Sequence, residues 1–372
     1  MEVFVGAKSV LCPLGDTPSK VYEQMLAGAT GLRVVEKPFG VDTTSHIGLI
    51  PDNMIPQEHI DSTRLENMLS VCYERSVRKL RFDTFQDKDG LVIICTTKGN
   101  INLIGDEDDP RLPLMRLSKF MEQSFYLGNE PMVISNACIS GVVGIITAAR
   151  LIRAGKYDHV MVIGADIVSQ FTLSGFASLH ALADGVCQPY DSNRKGINLG
   201  EAAAGLVLSN DETIFKGSHD EYLSGASSND ANHISGPSRT GEGLYRSIER
   251  TLDMASVGAE QIGYLSAHGT GTSFNDEMES IAFERSGLSY SPVNSMKGYF
   301  GHTLGAAGVI ETMLGLEAMK RNELAPSLGY KNHGVSRPMN IIKSKQAPTS
   351  EYFLKSASGF GGCNAAALFK VG

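Results

Sequence analysis

The stretch Pro131-Met132-Val133-Ile134-Ser135-Asn136-Ala137-Cys138-Ile139-Ser140-Gly141-Val142-Val143-Gly144-Ile145-Ile146-Thr147 decides how the rest of the chain is read. Residues 131–135 form a short apolar run, which predicts a strand. From Gly141 to about Arg153 the chain is apolar almost all the way round, and such a helix is buried on every side. Cys138 stands at the turn between the two. A thiol there meets unpaired backbone N–H groups and the positive end of a helix dipole, and both favour the thiolate. The N–H groups that follow can stabilise an oxyanion. The plainer account of a cysteine is a buried structural residue. Cys12, Cys72, Cys95 and Cys187 are read that way.

The stretch has an echo. Gly141 follows Cys138 by three residues, and Gly305-Ala306-Ala307-Gly308-Val309-Ile310-Glu311 follows His302 by the same spacing. Each segment opens a helix with G-x-x-G, and glycine lets two such helices approach closely. Chance similarity in a glycine-rich chain is one explanation. An internal duplication is the other, and it would bring Cys138 and His302 to one spot where the helices meet. The boundary then falls in the polar run 209–221, giving an N-terminal half over 1–215 and a C-terminal half over 216–372.

Strands are expected at 2–11, 91–96, 131–135, 159–165 and 200–208, then at 222–227, 262–266, 291–295, 352–358 and 365–371. Helices are expected at 19–27, 61–81, 242–254 and 275–284, besides the two small-residue helices. The alternation indicates an α/β architecture with mostly parallel or mixed sheets.

Composition narrows the function classes. The chain has 372 residues, 42% of them hydrophobic and 20% charged, which excludes wholesale disorder. The net charge of -8 argues against bulk nucleic-acid binding. No run of about 18 apolar residues predicts a membrane span. No signal-peptide pattern opens the chain, and the six scattered cysteines form no CxxC pair. The expectation is a cytoplasmic protein with free thiols.

Two histidines stand out. His268 ends a predicted strand in the loop His268-Gly269-Thr270-Gly271-Thr272, and His302 follows Gly301. Ligands in open α/β sheets bind beyond the carboxyl ends of strands. A metal site is disfavoured, because neither histidine has a partner at the spacing metal motifs use. Glu311 lies on an apolar helix, so burial with a cation is expected, and Lys297 is the candidate. A solvated surface pair is the plainer alternative. The loop Gly359-Phe360-Gly361-Gly362 lacks the following helix of a dinucleotide site. A tight turn presenting backbone N–H groups, with Phe360 as a wall or gate, fits better.

Together these segments resemble the elongating branch of the β-ketoacyl-acyl-carrier-protein synthases, condensing enzymes of the thiolase fold. The resemblance covers almost the whole chain. It rests on Asn136 to Gly141, on His268-Gly269-Thr270-Gly271-Thr272 with Asp276, on Lys297-Gly298-Tyr299-Phe300-Gly301-His302 through Gly308, and on Gly359 to Asn364. The run from Pro189 to Glu201 resembles the loop before the last strand of the family's first half. Two histidines, instead of a histidine and an asparagine, place the resemblance in the elongating branch.

The resemblance implies a thiolase-like fold of two related α/β halves, packed as a five-layer α-β-α-β-α sandwich. It implies an acyltransferase in fatty acid or polyketide synthesis. Cys138 would carry the acyl chain, with its own N–H and that of Phe360 as the oxyanion hole. His268 and His302 would bind the malonyl thioester carbonyl during decarboxylation. Lys297 and Glu311 would pair beneath the site and orient His302. Thr270 and Thr272 would hydrogen-bond the pantetheine arm, and Asp276, Gly359 and Gly361 would support the site. No metal or other resident cofactor is implied, because phosphopantetheine arrives on the acyl carrier protein. The implied assembly is a homodimer or a heterodimer with a related subunit, without nucleic acid or membrane. Arg64, Arg116, Lys119, Arg194 and Lys195 are candidates for docking an acidic carrier.

The chain departs from the family in three places. The segment before Cys138 is shorter than usual, Ile197 stands where an aromatic gate is common, and Asn198 is a polar intrusion. Two other enzymatic roles compete. One is a chain-length-factor-like partner, which usually lacks the nucleophile. The other is a coenzyme A thiolase, for which Cys363 would supply the second thiol. A non-enzymatic binding module fits least.

Overall fold

A computed structural model describes residues 1–57, 59, 61–105, 109–230 and 236–372. The sequence reads 105–111 as an acidic surface loop, and this run lies partly outside the described residues. In chain order the first half holds β1 (Phe4–Leu11), α1 (Pro18–Leu26), β2 (Leu32–Glu36), β3 (Thr44–Gly48), α2 (Arg64–Val77), β4 (Gly90–Cys95), α3 (Met115–Phe125), β5 (Met132–Ile134), α4 (Ser140–Arg153), β6 (His159–Asp166), α5 (Gln170–Ser178) and β7 (Ala202–Ser209). Then follow β8 (Asp220–Asn229), α6 (Glu242–Ala255), β9 (Ile262–Ser266), α7 (Ser273–Arg285), β10 (Val293–Asn294), α8 (Lys297–Phe300), α9 (Ala307–Lys320), β11 (Tyr352–Gly359) and β12 (Cys363–Lys370).

Local signals explain the element ends. Thr17 caps α1 by accepting from Lys20 N, with Pro18 at the first helical position. Thr63 and Glu66 form a reciprocal capping box on α2. All six residues of β4 are buried, as its unbroken apolar run predicts. The small-residue helix after His302 starts later than expected. A short 3-10 turn at Leu304–Ala306 intervenes, so His302 stands in a loop five residues before α9.

The strands run β10-β9-β11-β12-β8-β1-β7-β6-β4-β5, and β2 and β3 pair separately. The first five and the last five mirror each other. Read outward from the middle, one is β8-β12-β11-β9-β10 and the other β1-β7-β6-β4-β5. Parallel and antiparallel pairings match step for step, for example β9 with β11 parallel and β4 with β6 parallel. The two runs touch through only two residue pairs, Phe4 with Glu221 and Val5 with Asp220.

Strand alternation sends side chains to two cores. Val160 and Val162 of β6 join a central core with α4 and α9, which also takes Phe353 of β11 and Ala365 of β12. Met161 and Ile163 face the other way, onto α2 and α3. Across the molecule, Leu354 and Leu368 pack onto α6 and α7. The layers are therefore α2/α3, sheet, α4/α9, sheet, α6/α7. Among the described residues no helix is long and apolar enough to cross a membrane.

The central helices meet through glycine. A Cβ on Gly308 would lie 2.4 Å from Val142 N, and one on Gly141 would lie 2.7 Å from Val309 N. The other two glycines of the paired motifs serve different contacts. Gly144 faces Cys95 Sγ, and Gly305 faces Asp166 and Thr96.

Candidate active site

Three chain turns deliver the reactive side chains. At the first, Ala137 has φ +44°, a left-handed conformation that costs a non-glycine residue about 1–2 kcal/mol. Ser140 holds it in place, donating through Oγ to Ala137 O (2.7 Å) while accepting from Asn136 N (2.8 Å). The turn aims Cys138 away from β5, two residues before α4 begins.

At the second, β9 ends and the chain wraps around two carboxylates of α7. His268 N and Gly269 N donate to Glu279 (2.8 and 2.7 Å). Thr270 N and Gly271 N donate to Asp276 (3.0 and 3.2 Å). Four consecutive N–H groups are thus held by acids one helical turn apart. Thr270 and Thr272 hydroxyls meet at 2.8 Å. The sequence pointed to Asp276, while Glu279 was overlooked although it lies three residues further on the same helix face.

At the third, His302 N donates to Asn198 O (2.7 Å) and His302 O accepts from Gly200 N (3.0 Å). Asn198 is no intrusion. Its side chain accepts from Cys187 N at 2.7 Å and donates to Gly185 O at 2.9 Å.

These turns converge. Cys138 Sγ and one ring nitrogen from each of His268 and His302 lie within 4.8 Å of one another. The two imidazoles stand edge to face, 5.2 Å apart at 87°. Among the described residues, Nδ1 of His268 and both ring nitrogens of His302 have no hydrogen-bond partner. The trio offers one soft thiol and two imidazole donors that could close on a cation, and the same side chains open to the cavity.

Beneath them is a buried ion cluster. Lys297 Nζ lies 2.8 Å from Glu311 Oε1, and both groups are almost wholly buried. Lys297 also donates to His268 O. Among the described residues the pair reaches the backbone of His268, not the ring of His302, which it affects through charge. A second lysine, unforeseen, completes the cluster: Lys355 Nζ stands 2.6 Å from Glu311 Oε2. That contact is an ion pair outside hydrogen-bond angles. A single Lys in the strand expected at 352–358 was the available signal.

Burial sets the protonation states. It drives both imidazoles well below the usual histidine value, reinforced by Lys297 and Lys355, so each is neutral. Glu311 is pushed up by burial, but Lys297 and Lys355 outweigh that and keep it ionised. The Cys138 thiol is pushed up to about 12 by burial, with Cys363 adding and Lys297 and the Phe360 N–H opposing. The expectation of a turn that favours the thiolate is therefore reversed in the free protein. Asp166, also overlooked, is raised to about 6 by burial. It accepts from Thr96 Oγ1 (2.8 Å), Thr97 N (2.9 Å) and Gly305 N (2.6 Å), tying β6 to the loop after His302.

The trio opens into a cavity of about 450 Å³, lined also by Thr270, Thr272, Phe274, Ile197, Leu179, Phe176 and Phe360. Phe360 is 40% exposed and packs against Phe176, 5.6 Å between ring centres. Gly359 runs close behind the nucleophile turn, where a Cβ would lie 3.1 Å from Cys138 N. Gly361 has φ +83°, which allows the loop to reverse.

The basic candidates divide. Arg64 is committed to Glu201 (2.7 Å) and Asp52 (2.6 Å), and Arg194 donates to Asp191 O and Gly334 O with its side chain 10% exposed. Both are structural, which corrects their place among docking residues. Lys119 pairs with Glu122 and Glu130, while Arg116 is exposed and Lys195 stands at the cavity rim.

Comparisons with known proteins agree with this arrangement. Residues 123–213 match the family description "Beta-ketoacyl synthase, N-terminal domain" and residues 221–331 match "Beta-ketoacyl synthase, C-terminal domain". A 3-oxoacyl-[acyl-carrier-protein] synthase 2 of Rhizobium meliloti is 33% identical over 252 residues, 64% of this chain and 60% of that protein. The chain thus spans under two thirds of that relative's length. A synthase of the same description from Staphylococcus aureus (strain COL) is 28% identical across 99% of this chain and 98% of its own. Among solved structures, a beta-ketoacyl synthase from Burkholderia phymatum superposes with a TM-score of 0.90 at 23% identity, covering 100% and 99% of the two chains. A ketosynthase in complex with its chain length factor from Xenorhabdus doucetiae gives 0.86 at 24%, covering 100% and 98%. At these identities the structures speak for the fold.

Proposed function

The chain belongs to the beta-ketoacyl synthase family, and from that premise we propose that it joins an acyl chain held on Cys138 to a malonyl unit with loss of carbon dioxide. The observation that carries this reading is the convergence of one thiol and two neutral imidazoles within 4.8 Å.

In the first half-reaction Cys138 Sγ attacks the acyl thioester on a carrier protein. The bond to the carrier's sulfur breaks, and the thiol proton passes to the departing carrier thiolate. The N–H groups of Cys138 and Phe360 support the oxyanion. In the second, a malonyl thioester enters with its carbonyl oxygen between His268 and His302. Its carboxylate leaves as carbon dioxide, and the electron pair forms an enolate held by two imidazole N–H donors. Neutral rings serve as donors without burying added charge. The enolate carbon then bonds to the acyl carbonyl, the bond to Cys138 breaks, and the thiolate takes up a proton. Thr270 and Thr272 suit the pantetheine arm.

The proposed partner is an acyl carrier protein in the cytoplasm. The chain is proposed to pair with itself or with a related subunit, in fatty acid or polyketide synthesis, and to consist of two duplicated halves divided near residue 215. A silent partner role is disfavoured by the presence of Cys138. A thiolase would need Cys363 as its base. That thiol donates to Phe360 O at 3.2 Å within the glycine loop and does not line the described cavity.

The direct test is mass spectrometry of the protein after incubation with acyl-carrier proteins of different chain lengths. A single acyl adduct on Cys138 is expected. No adduct, together with cleavage of acetoacetyl-coenzyme A, would overturn the reading.

A further inference from the structure

The second buried lysine has no part in the reaction as written above. Lys355 is fully buried in β11, the only charged residue of that strand. Its Nζ contacts Glu311 at 2.6 Å and donates to Ser266 O (3.2 Å) and Ala267 O (3.3 Å). Lys297, on the other side of Glu311, donates to His268 O. Two ammonium groups thus grip three consecutive carbonyls at the end of the strand that delivers His268, and they share one carboxylate.

A lone Lys297–Glu311 pair would be neutral. Adding Lys355 leaves the cluster with one excess positive charge in a buried site, an arrangement that costs stability unless surrounding dipoles offset it. The three carbonyl oxygens provide the dipoles. We propose that Lys355 is a positioning residue: it fixes the chain end that carries His268 and supplies the second positive charge beneath the histidine pair. This rests on the condensing reading above.

Burial is the main reason that both imidazoles are neutral, and the positive charge beneath them adds to it. His268 faces Lys297, Lys355 and His302, and His302 faces Lys297 and Lys355. Glu311 is the opposing charge in the cluster, Glu279 binds His268 N, Asp276 lies along the same loop, and Cys138 completes the surroundings. A protonated imidazole would repel its neighbour and the two lysines.

The test is a histidine NMR titration of the whole protein, paired with malonyl-carrier-protein decarboxylation measured against pH. Lys355→Met removes the charge yet leaves the Lys297–Glu311 pair intact, and Lys355→Arg restores the charge. In the wild type both rings should stay neutral well below pH 6.5. In Lys355→Met both should titrate at least about one pH unit higher, with the acid limb of the rate moving equally. Lys355→Arg should move back towards wild type. Unchanged titration in a folded Lys355→Met protein would overturn the proposal. So would wild-type rings that titrate near 6.5, a measurement that stands even if the variants fail to fold. A wild type that does not decarboxylate malonyl-carrier protein refutes the condensing reading, while the titration still decides the role of Lys355.

Discussion

Cys138 is held in buried surroundings that disfavour its charged form. With its thiol pushed up to about 12 by burial, little thiolate exists near neutral pH. Removing the nucleophile should therefore separate the two half-reactions. Cys138→Gln is expected to lower condensation at least about 10³-fold and to leave or raise decarboxylation, read as carbon dioxide release from malonyl-carrier protein. Surviving condensation would mean another nucleophile. His302→Ala should cut decarboxylation by about 10²–10³-fold, the usual effect of losing one oxyanion donor. In the proposed reaction the neutral ring is the active form, and its protonation lies well below the usual value. The His302 ring should therefore stay neutral as pH falls from 8 through 6.5 in a histidine NMR titration, and a ring titration centred near 6.5 would contradict it; Glu279, raised to about 7 by burial, is the group that titrates inside that window. At this scale much of the site was legible. Cys138, His268 and His302 each sit in a short motif with its own local geometry. Their charge states were not legible, because desolvation sums over neighbours from α4, β9, α9 and β11.

The elements place those residues by close packing. α4 and α9 cross where Gly308 meets Val142 N, so any side chain there must displace backbone. Gly308→Ala should cost about 1–3 kcal/mol or more in urea unfolding. Gly361→Ala meets nothing within 4 Å but forces a left-handed backbone, at about 1–2 kcal/mol. The order of the two losses is the prediction, and a larger loss at Gly361 would refute the packing argument. The G-x-x-G echo announced that these helices approach. It did not announce that Gly144 and Gly305 serve the sheet and the Asp166 loop instead. Three helices escaped the sequence reading altogether: the four-residue α8, α3 and α5. α3 buries only Leu117, Ser118 and Met121, and α5 is nine residues long and begins at a Ser169–Thr172 capping box without an acid. A short apolar stripe gives weak periodicity.

The whole molecule carries a net charge of -8, and of the five basic candidates Arg116 and Lys195 are exposed, Lys195 standing 3.6 Å from Asp184. Arg116→Glu and Lys195→Glu together should raise KM for acyl-carrier protein roughly three- to tenfold at low salt, with the difference shrinking at high ionic strength. An unchanged KM, or one indifferent to salt, would remove this face from the docking surface. Arg64→Ala should act on stability instead, through the buried Glu201 it leaves unpaired, visible as a lower Tm at unchanged salt dependence. From sequence all five basic candidates looked alike. Glu201 and Asp276 lie far along the chain from Arg64 and Arg194, respectively, and distance along the chain hides such pairs.

By itself the sequence determined the alternation of strands and helices, the nucleophile turn and the two histidine loops. Those features depend on neighbours a few residues away, where backbone geometry and side-chain periodicity act. The tertiary structure alone decided that Lys355 joins Lys297 on Glu311, that Asp166 ties β6 to the His302 loop, and that Cys138 rests as a thiol. Each is a balance of burial against charges supplied by separate elements, and that balance exists only once the layers have closed.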